Sequence, residues 1–454
     1  MRSYRDVSFW FDALAASGQD DLIPRPPLAG DTTADVCIVG GGLTGMWTAY
    51  YLSAQDPSLR IVIVEQEIAG FGASGRNGGW CSALFPRSAS ALACMSPGRD
   101  GADALRAAMR DTVDEVGRVV SAEGIACDYV KGGTLLFARS RVQDQAARAE
   151  VAESAAWGDH MTYRDARPGD AADTVGVAFT PDCARVQPAA LSRGLARVLE
   201  ARGVTIAEQT PASSWGPHRV VTSRGVVTCD AVVIALEGFG SQLPQTRRRI
   251  LPLYSLMIAT EPLPDRVWDS IGIEHGQTFS DYRHLLVYGQ RTADNRFAFG
   301  GRGARYHWGS TIDPSYDRVP RVFEHLRATL GEMFPQIGDA AVTHTWGGPL
   351  GVARDWCASV TWDGKVGTAG GYVGDGLSTT NLAGRTLAAL VRGVASPLAD
   401  LPWVNHRSPD WEPEPLRFIG ANAGLVATDI ADREERLTGR ASLAAKLMAP
   451  LTGH

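Results

Sequence analysis

The chain has 454 residues, 44% hydrophobic and 21% charged. That is the balance of an ordinary folded protein of two or three domains, not of a disordered, coiled-coil or collagen-like chain. Forty-four basic against fifty acidic side chains give a net charge of −6, so there is no global electrostatic reason to bind nucleic acid. No apolar run reaches the roughly 18 residues that suggest a membrane span.

The first 30 residues read as an arm. A short aromatic helix around residues 9–14 leads into a linker with Pro24, Pro26 and Pro27. The N-terminal text lacks a long apolar stretch and a small-residue cleavage site, which predicts a cytoplasmic protein. From Asp35 the texture changes to VCIVGGGLTGMWTAYYL and then IVIVEQE. An apolar run, a glycine turn, a helical stretch and a second apolar run predict a βαβ unit.

Further along, residues 101–122 have helical spacing, with Leu105, Met109, Val113, Val116 and Val120 on one face, and residues 141–156 again read as helix. Pro188 suits the first turn of a helix that Gly203 stops, and VTIAE is the strand that follows. VVTCDAVVIALEG reads as two further short strands. Residues 250–305 are strand-like and rich in aromatics, which predicts a separate, more antiparallel sheet. A helix is expected over 315–334, and residues 341–390 return to strand, loop, strand and a long helix.

The chemistry begins at Gly40, Gly42 and Gly45. After a strand, the first glycine permits the tight turn, the second lets backbone approach a pyrophosphate, and the third lets helix and strand pack closely. Leu43 and Thr44 open the helix, whose N-terminal N–H groups and partial positive charge suit phosphates. Glu65, followed by Gln66, ends the second strand where a carboxylate accepts the ribose hydroxyls. An acid there disfavours NADP.

The segment AGFGASGRNGGWCS follows. Here the sequence resembles the D-amino-acid-oxidase-like flavoprotein superfamily, most closely its γ-glutamylputrescine oxidoreductase branch, in which GASGRNGG is distinctive. The resemblance implies a flavin-contacting loop made of Ala73, Ser74, Arg76, Asn77, Gly78 and Gly79. It also implies a backbone contact to the adenine near Thr210 and Ala212. GYVGDGLSTTNLAGRTLAAL resembles the family's final strand–turn–helix, whose N-terminus faces the flavin. Gly374, Gly376, Leu377, Ser378 and Thr379 carry over from it. Asp375 stands where many relatives have histidine, and is expected to cap that helix. Leu236 and Glu237 depart from the family's small polar turn and receive no role. The resemblance covers about residues 5–395.

It implies an α/β plus α+β architecture of the glutathione-reductase-2/D-amino-acid-oxidase type. A discontinuous Rossmann-like FAD domain (31–100, 175–245 and 341–395) is expected beside a mainly antiparallel substrate domain (101–174 and 246–340). The arm (1–30) and a C-terminal extension (396–454) flank them. The implied activity is oxidation of a C–N bond in a small amine or amino acid, giving an imine that hydrolyses, with oxygen or another acceptor reoxidising the flavin. A D-amino-acid, glycine or N-methyl-amino-acid oxidase is the near rival. A flavin monooxygenase and a non-catalytic nucleotide-binding module are the more distant ones.

Candidate substrate-side residues are Tyr254 on a cavity-bordering strand, Arg302 as the cation nearest the position of a family lysine, and Trp346 and Tyr372 as an aromatic wall. FAD is expected to be non-covalent, because Cys357 lies too close to the final strand for the family's cysteinyl link. Cys81, His325 and His344 are expected in packing or surface roles. The seven cysteines form no CxxC pair, so no metal site is expected.

Overall fold

A computed structural model describes residues 3–445. Two large sheets organise the chain. The first has parallel strands in the order Val366–Gly370, Gly225–Ile234, Thr32–Val39, Ile61–Val64 and Thr205–Ala207, with Ser359–Trp362 antiparallel at one edge. Continuous apolar runs such as IVIV are what a parallel strand needs when helices cover both faces. The second sheet runs Val342–Ala353, Ile250–Thr260, Phe297–Gly301, Val287–Arg291, Thr278–Asp281, Thr134–Ala138, Gly176–Thr180 and Thr162–Asp165. Its pairs are antiparallel except Thr278–Asp281 with Thr134–Ala138. The result is a two-domain α/β and α+β fold.

The predicted helices appear as Phe9–Ala16, Arg99–Ala122, Arg141–Ala156, Pro188–Ala201, Pro320–Met333 and Gly376–Arg392. Pro188 occupies the first turn of its helix, where its missing N–H costs nothing. GVVTCDAVVI forms one ten-residue strand where two short ones were expected, preceded by the hairpin Ala212–Gly216 and Arg219–Thr222.

Three expected domain assignments are corrected by strand pairing and packing. Val342–Ala353 pairs along its length with Ile250–Thr260, so it belongs to the second sheet and not to the first. Gly176–Thr180 likewise joins the second sheet, between Thr134–Ala138 and Thr162–Asp165. Arg99–Ala122 packs through Leu105, Met109, Val113 and Val116 into the large core shared by Leu43–Gln55 and Gly376–Arg392, on the first domain's side. Local periodicity identifies such segments but carries no information about which sheet or core accepts them. The first two residues of the arm and the last nine of the extension lie outside the described residues.

The arm and the extension both fasten onto the body. Ser8 caps the aromatic helix and also donates to Gly75 O (2.9 Å). The extension forms the helix Leu416–Thr438, which reaches back to the second sheet. No helix among the described residues is long and apolar enough to cross a membrane.

Candidate active site

The carboxyl ends of the parallel strands open into a cavity of about 560 Å³, within the roughly 300–1,000 Å³ usual for cofactor and ligand pockets. Its lining runs from Gly40, Gly42, Leu43, Thr44, Glu65, Gln66 and Ala212, past Ala73, Ser74, Arg76, Asn77 and Gly78, to Gly374, Gly376 and Leu377. On the second sheet it reaches Ser255, Ser280, Tyr288 and Arg302.

The glycine turn is fixed by contact. Gly40 has φ +110°, and an added Cβ would lie 2.4 Å from Ala235 O; one on Gly45 would lie 2.2 Å from Gly40 O. Gly45 thus packs helix against turn and does not face the cavity. Helix Leu43–Gln55 starts on Gly42 without a side-chain cap, leaving its N-terminus toward the cavity. Ser74 Oγ accepts from Leu43 N (2.9 Å), joining the second glycine loop to the first.

Glu65 accepts from Gly41 N (2.7 Å) and Glu67 N (2.9 Å), and burial pushes its carboxyl up to about 7. Thr210 N donates to Glu65 O (2.7 Å), which brings the Thr210–Ala212 segment against the strand end.

The 73–79 loop is held from behind. Trp10 Nε1 donates to Asn77 O (2.8 Å), and Phe11 packs where a Cβ on Gly75 would sit. Asn77 folds onto its own loop, donating to Ala73 O and Ser74 O and accepting from Gly79 N. Gly78 lies against the Tyr288 ring, 2.4 Å from where its Cβ would be. Arg76 is buried and bridges the loop to the second domain, through Asp317 (2.8 Å) and Gly347 O (3.1 Å). Its guanidinium is committed to protein partners. Gly79, with φ +71°, packs against Val186 O and Gln290 and lies off the cavity.

At the far end, Ser378 donates to Ser82 O and Thr379 to Asp375 O, so both turn away from the cavity and fix the helix start. Tyr372 lines the cavity, but its hydroxyl pairs with Thr44 Oγ1 (2.9 Å), tying together the two helix N-termini. Arg302 donates to Val373 O (2.8 Å), lies over the Trp356 ring and lines the same cavity as Asp375.

Two expected substrate-side residues are corrected. Tyr254 points to the other face of its strand, into the core under Pro320–Met333, beside His307 and Tyr316. Side chains alternate along a strand, and its neighbour Ser255 faces the cavity instead. Ser255 Oγ bonds the Tyr288 hydroxyl (2.7 Å). Trp346 is buried against Phe9 and Trp10 and donates to Arg76 O (2.9 Å), so it pins the loop and does not wall the cavity. The expected cap is corrected too. Asp375 occupies the N-cap position of Gly376–Arg392 without a side-chain cap bond.

Reading the sequence assigns no role to Glu237, Tyr288 or Ser255. Glu237 lines the cavity at φ +46° and accepts from Gly371 N and Tyr372 N (3.2 Å each). Its signal was the departure from a small polar turn. Strand parity alone, counted from Tyr254, would have found Ser255.

A parallel sheet with a glycine turn, a carboxylate at the end of its second strand and a cavity continuing onto an antiparallel sheet are the parts of a two-domain dinucleotide-binding fold. Residues 35–390 match the family described as FAD dependent oxidoreductase (DAO), and the chain belongs to it. It is 29% identical over 394 residues to the γ-glutamylputrescine oxidoreductase of Escherichia coli, covering 84% of this chain and 88% of that one. It is 28% identical over 408 residues to a probable oxidoreductase, OrdL, of Haemophilus influenzae, covering 85% and 88%. Among solved structures, glycine oxidase from Geobacillus kaustophilus superposes with a TM-score of 0.68 at 20% identity, covering 82% of this chain and 99% of that one. The protein is therefore an enzyme, an FAD-dependent oxidoreductase related to amine and amino-acid oxidases.

The residues present fit FAD. The Gly40 turn leaves no room for a Cβ, the N-terminus of helix Leu43–Gln55 borders the cavity with Ser74 on its first N–H, and Glu65 closes the strand end beside it.

Proposed function

We propose that the protein oxidises a C–N bond of a small amine or amino acid, with a γ-glutamyl-amine or ω-amino acid as preferred class, giving an imine that hydrolyses. The observation that supports this most is the cavity's continuity from the glycine turn to a polar end built from Ser255, Tyr288, Arg302 and Asp375. FAD bound there supplies a two-electron acceptor for the hydrogen on the carbon next to nitrogen.

The protein's part is positioning. Leu136, Leu286, Ile312 and Leu350 give the cavity apolar walls that exclude water. Arg302 and Asp375 offer opposite charges to a polar head, and Tyr288 with Ser255 offers a hydroxyl pair. Gly40, Gly42, Leu43, Thr44 and Glu65 are assigned to the dinucleotide, and Ala73, Ser74 and Gly78 to the flavin. Gly374, Gly376 and Leu377 are assigned to its other edge. Non-covalent attachment is supported by the lining, which among described residues contains no cysteine or histidine. Cys357 is buried with its Sγ toward Ala358 O.

A second reading, oxidation of an α-amino or N-methyl-amino acid, is favoured by Arg302, which suits a substrate carboxylate. An anaerobic screen separates them. Purified yellow protein should lose its flavin band, near the usual ~450 nm, on mixing with γ-glutamylputrescine or 4-aminobutanoate. Faster loss with glycine, sarcosine or D-alanine supports the second reading. Bleaching by NADPH alone refutes both and indicates a monooxygenase. Acid precipitation should release the chromophore into the supernatant.

A further inference from the structure

Asp375 is in an unusual situation for a residue that starts a helix. An aspartate in this position normally turns its carboxylate onto the N–H groups of the first turn. Here no side-chain bond caps the helix, and among the described residues the carboxylate has no hydrogen-bond partner. It lines the cavity instead.

The groups around it come from three elements. Arg302, which follows strand Phe297–Gly301, and Tyr288 on Val287–Arg291 line the same cavity, while the Cys183 thiol on Cys183–Arg185 feels its charge from a buried position off the cavity. Arg302 is the one cation among these, and it is already hydrogen-bonded to Val373 O. Asp375 is half-buried, so water reaches this carboxylate in the open cavity, and a ligand that displaces the water without supplying a donor leaves it unpaired at a cost. A cationic ligand that supplies N–H donors relieves that cost, and Arg302 remains beside it for a carboxylate or other acceptor.

We propose that Asp375 is the residue that receives the substrate's ammonium group and takes its proton before hydride leaves the adjacent carbon. This rests on the amine-oxidising reading above. The ammonium N–H bond breaks and its proton passes to an Asp375 carboxylate oxygen. The freed nitrogen lone pair forms the C=N bond as the adjacent C–H bond breaks and its hydride passes to bound FAD. The substrate, two electrons poorer, is an iminium. The proton on Asp375 returns to solvent, which balances the two hydrogens removed.

Burial pushes the Asp375 carboxyl up to about 6, so it is a charged proton acceptor near neutral pH and a neutral acid below. General-base assistance of this kind is worth about 100-fold or more.

The test uses the flavin-containing protein and its Asp375→Asn and Asp375→Glu variants. Anaerobic flavin reduction by the best amine of the screen is followed from about pH 5 to 9. Asp375→Asn should reduce the rate by about 100-fold or more and abolish the acidic limb of the pH profile, with the flavin spectrum and content unchanged. Asp375→Glu should restore part of both. Calorimetric titration with methylammonium and with acetate gives a second readout that needs no turnover. Asp375→Asn should weaken the cation at least tenfold and spare acetate, and Arg302→Gln should do the reverse. An Asn variant that keeps the acidic limb, or that weakens both probes equally, overturns the proposal. Protein that carries flavin but is bleached by no amine refutes the amine-oxidising reading instead, and the cation titration still decides whether Asp375 is a cation site.

Discussion

Glu237 shows how one side chain is decided by its surroundings. It sits in the left-handed region, where a non-glycine residue is uncommon, and its carboxylate is held by backbone N–H groups of the turn before helix Gly376–Arg392. Burial pushes the carboxyl up to about 7, against about 4.3 in an unfolded chain. Between those values the folded protein holds a proton that the unfolded chain has lost. Its contribution to stability is therefore greatest at the acidic end and declines as pH rises to about 7. Glu65 and Asp375 are raised in the same direction. Glu237→Gln should flatten the fall in Tm between about pH 5 and 7.5 relative to the unmodified protein. An identical slope in the two proteins refutes the assignment. Tyr254 and Ser255 teach the complementary lesson. Residue type favoured the tyrosine, but strand parity puts the serine in the cavity.

At the level of elements, helices Leu43–Gln55 and Gly376–Arg392 cross where Gly384 meets Trp47. An added Cβ on Gly384 would lie 2.6 Å from Trp47 Cβ and 2.8 Å from Thr48 N. Backbone stands on the far side of that contact, so the helices must separate to admit a methyl group. Gly384→Ala should cost about 1–3 kcal/mol, the usual penalty for overpacking, seen as a lower Tm and weaker retention of flavin. The flavin loss follows because both helices aim their N-termini at the cavity, linked there by Thr44 and Tyr372. A fully stable variant with normal flavin content would show that this crossing is looser than the contact distances state. The glycine turns were legible in the sequence because a missing Cβ leaves a written mark. Gly384 was not singled out, since its partner comes from a helix more than 300 residues earlier.

Across the whole molecule, segments outside the family match hold the cavity's walls. The arm supports the 73–79 loop through Ser8, Trp10 and Phe11. The extension's Asp432 accepts from His284 N (2.7 Å) and Leu285 N (2.9 Å), next to Leu286 in the cavity wall. Glu414 likewise takes Gly309 N and the Tyr306 hydroxyl, in the segment between Arg302 and Ile312. Asp432→Ala should raise KM for the amine several-fold and leave flavin content intact, because it loosens a wall without touching the dinucleotide. Unchanged steady-state kinetics would show that the wall is held without it.

The sequence by itself determined the βαβ unit, the glycine turns, the acid that ends the second strand and the family. Each is written locally, as a strand period, a missing side chain or a fixed spacing along one stretch of chain. Only the tertiary structure decided that Val342–Ala353 joins the second sheet, that Trp346 pins a loop, and that Asp375 lines the cavity with Arg302 instead of capping its helix. Those outcomes depend on which distant surface a segment meets, and on the cost of burying a charge or an unpaired donor there. No local pattern encodes that cost.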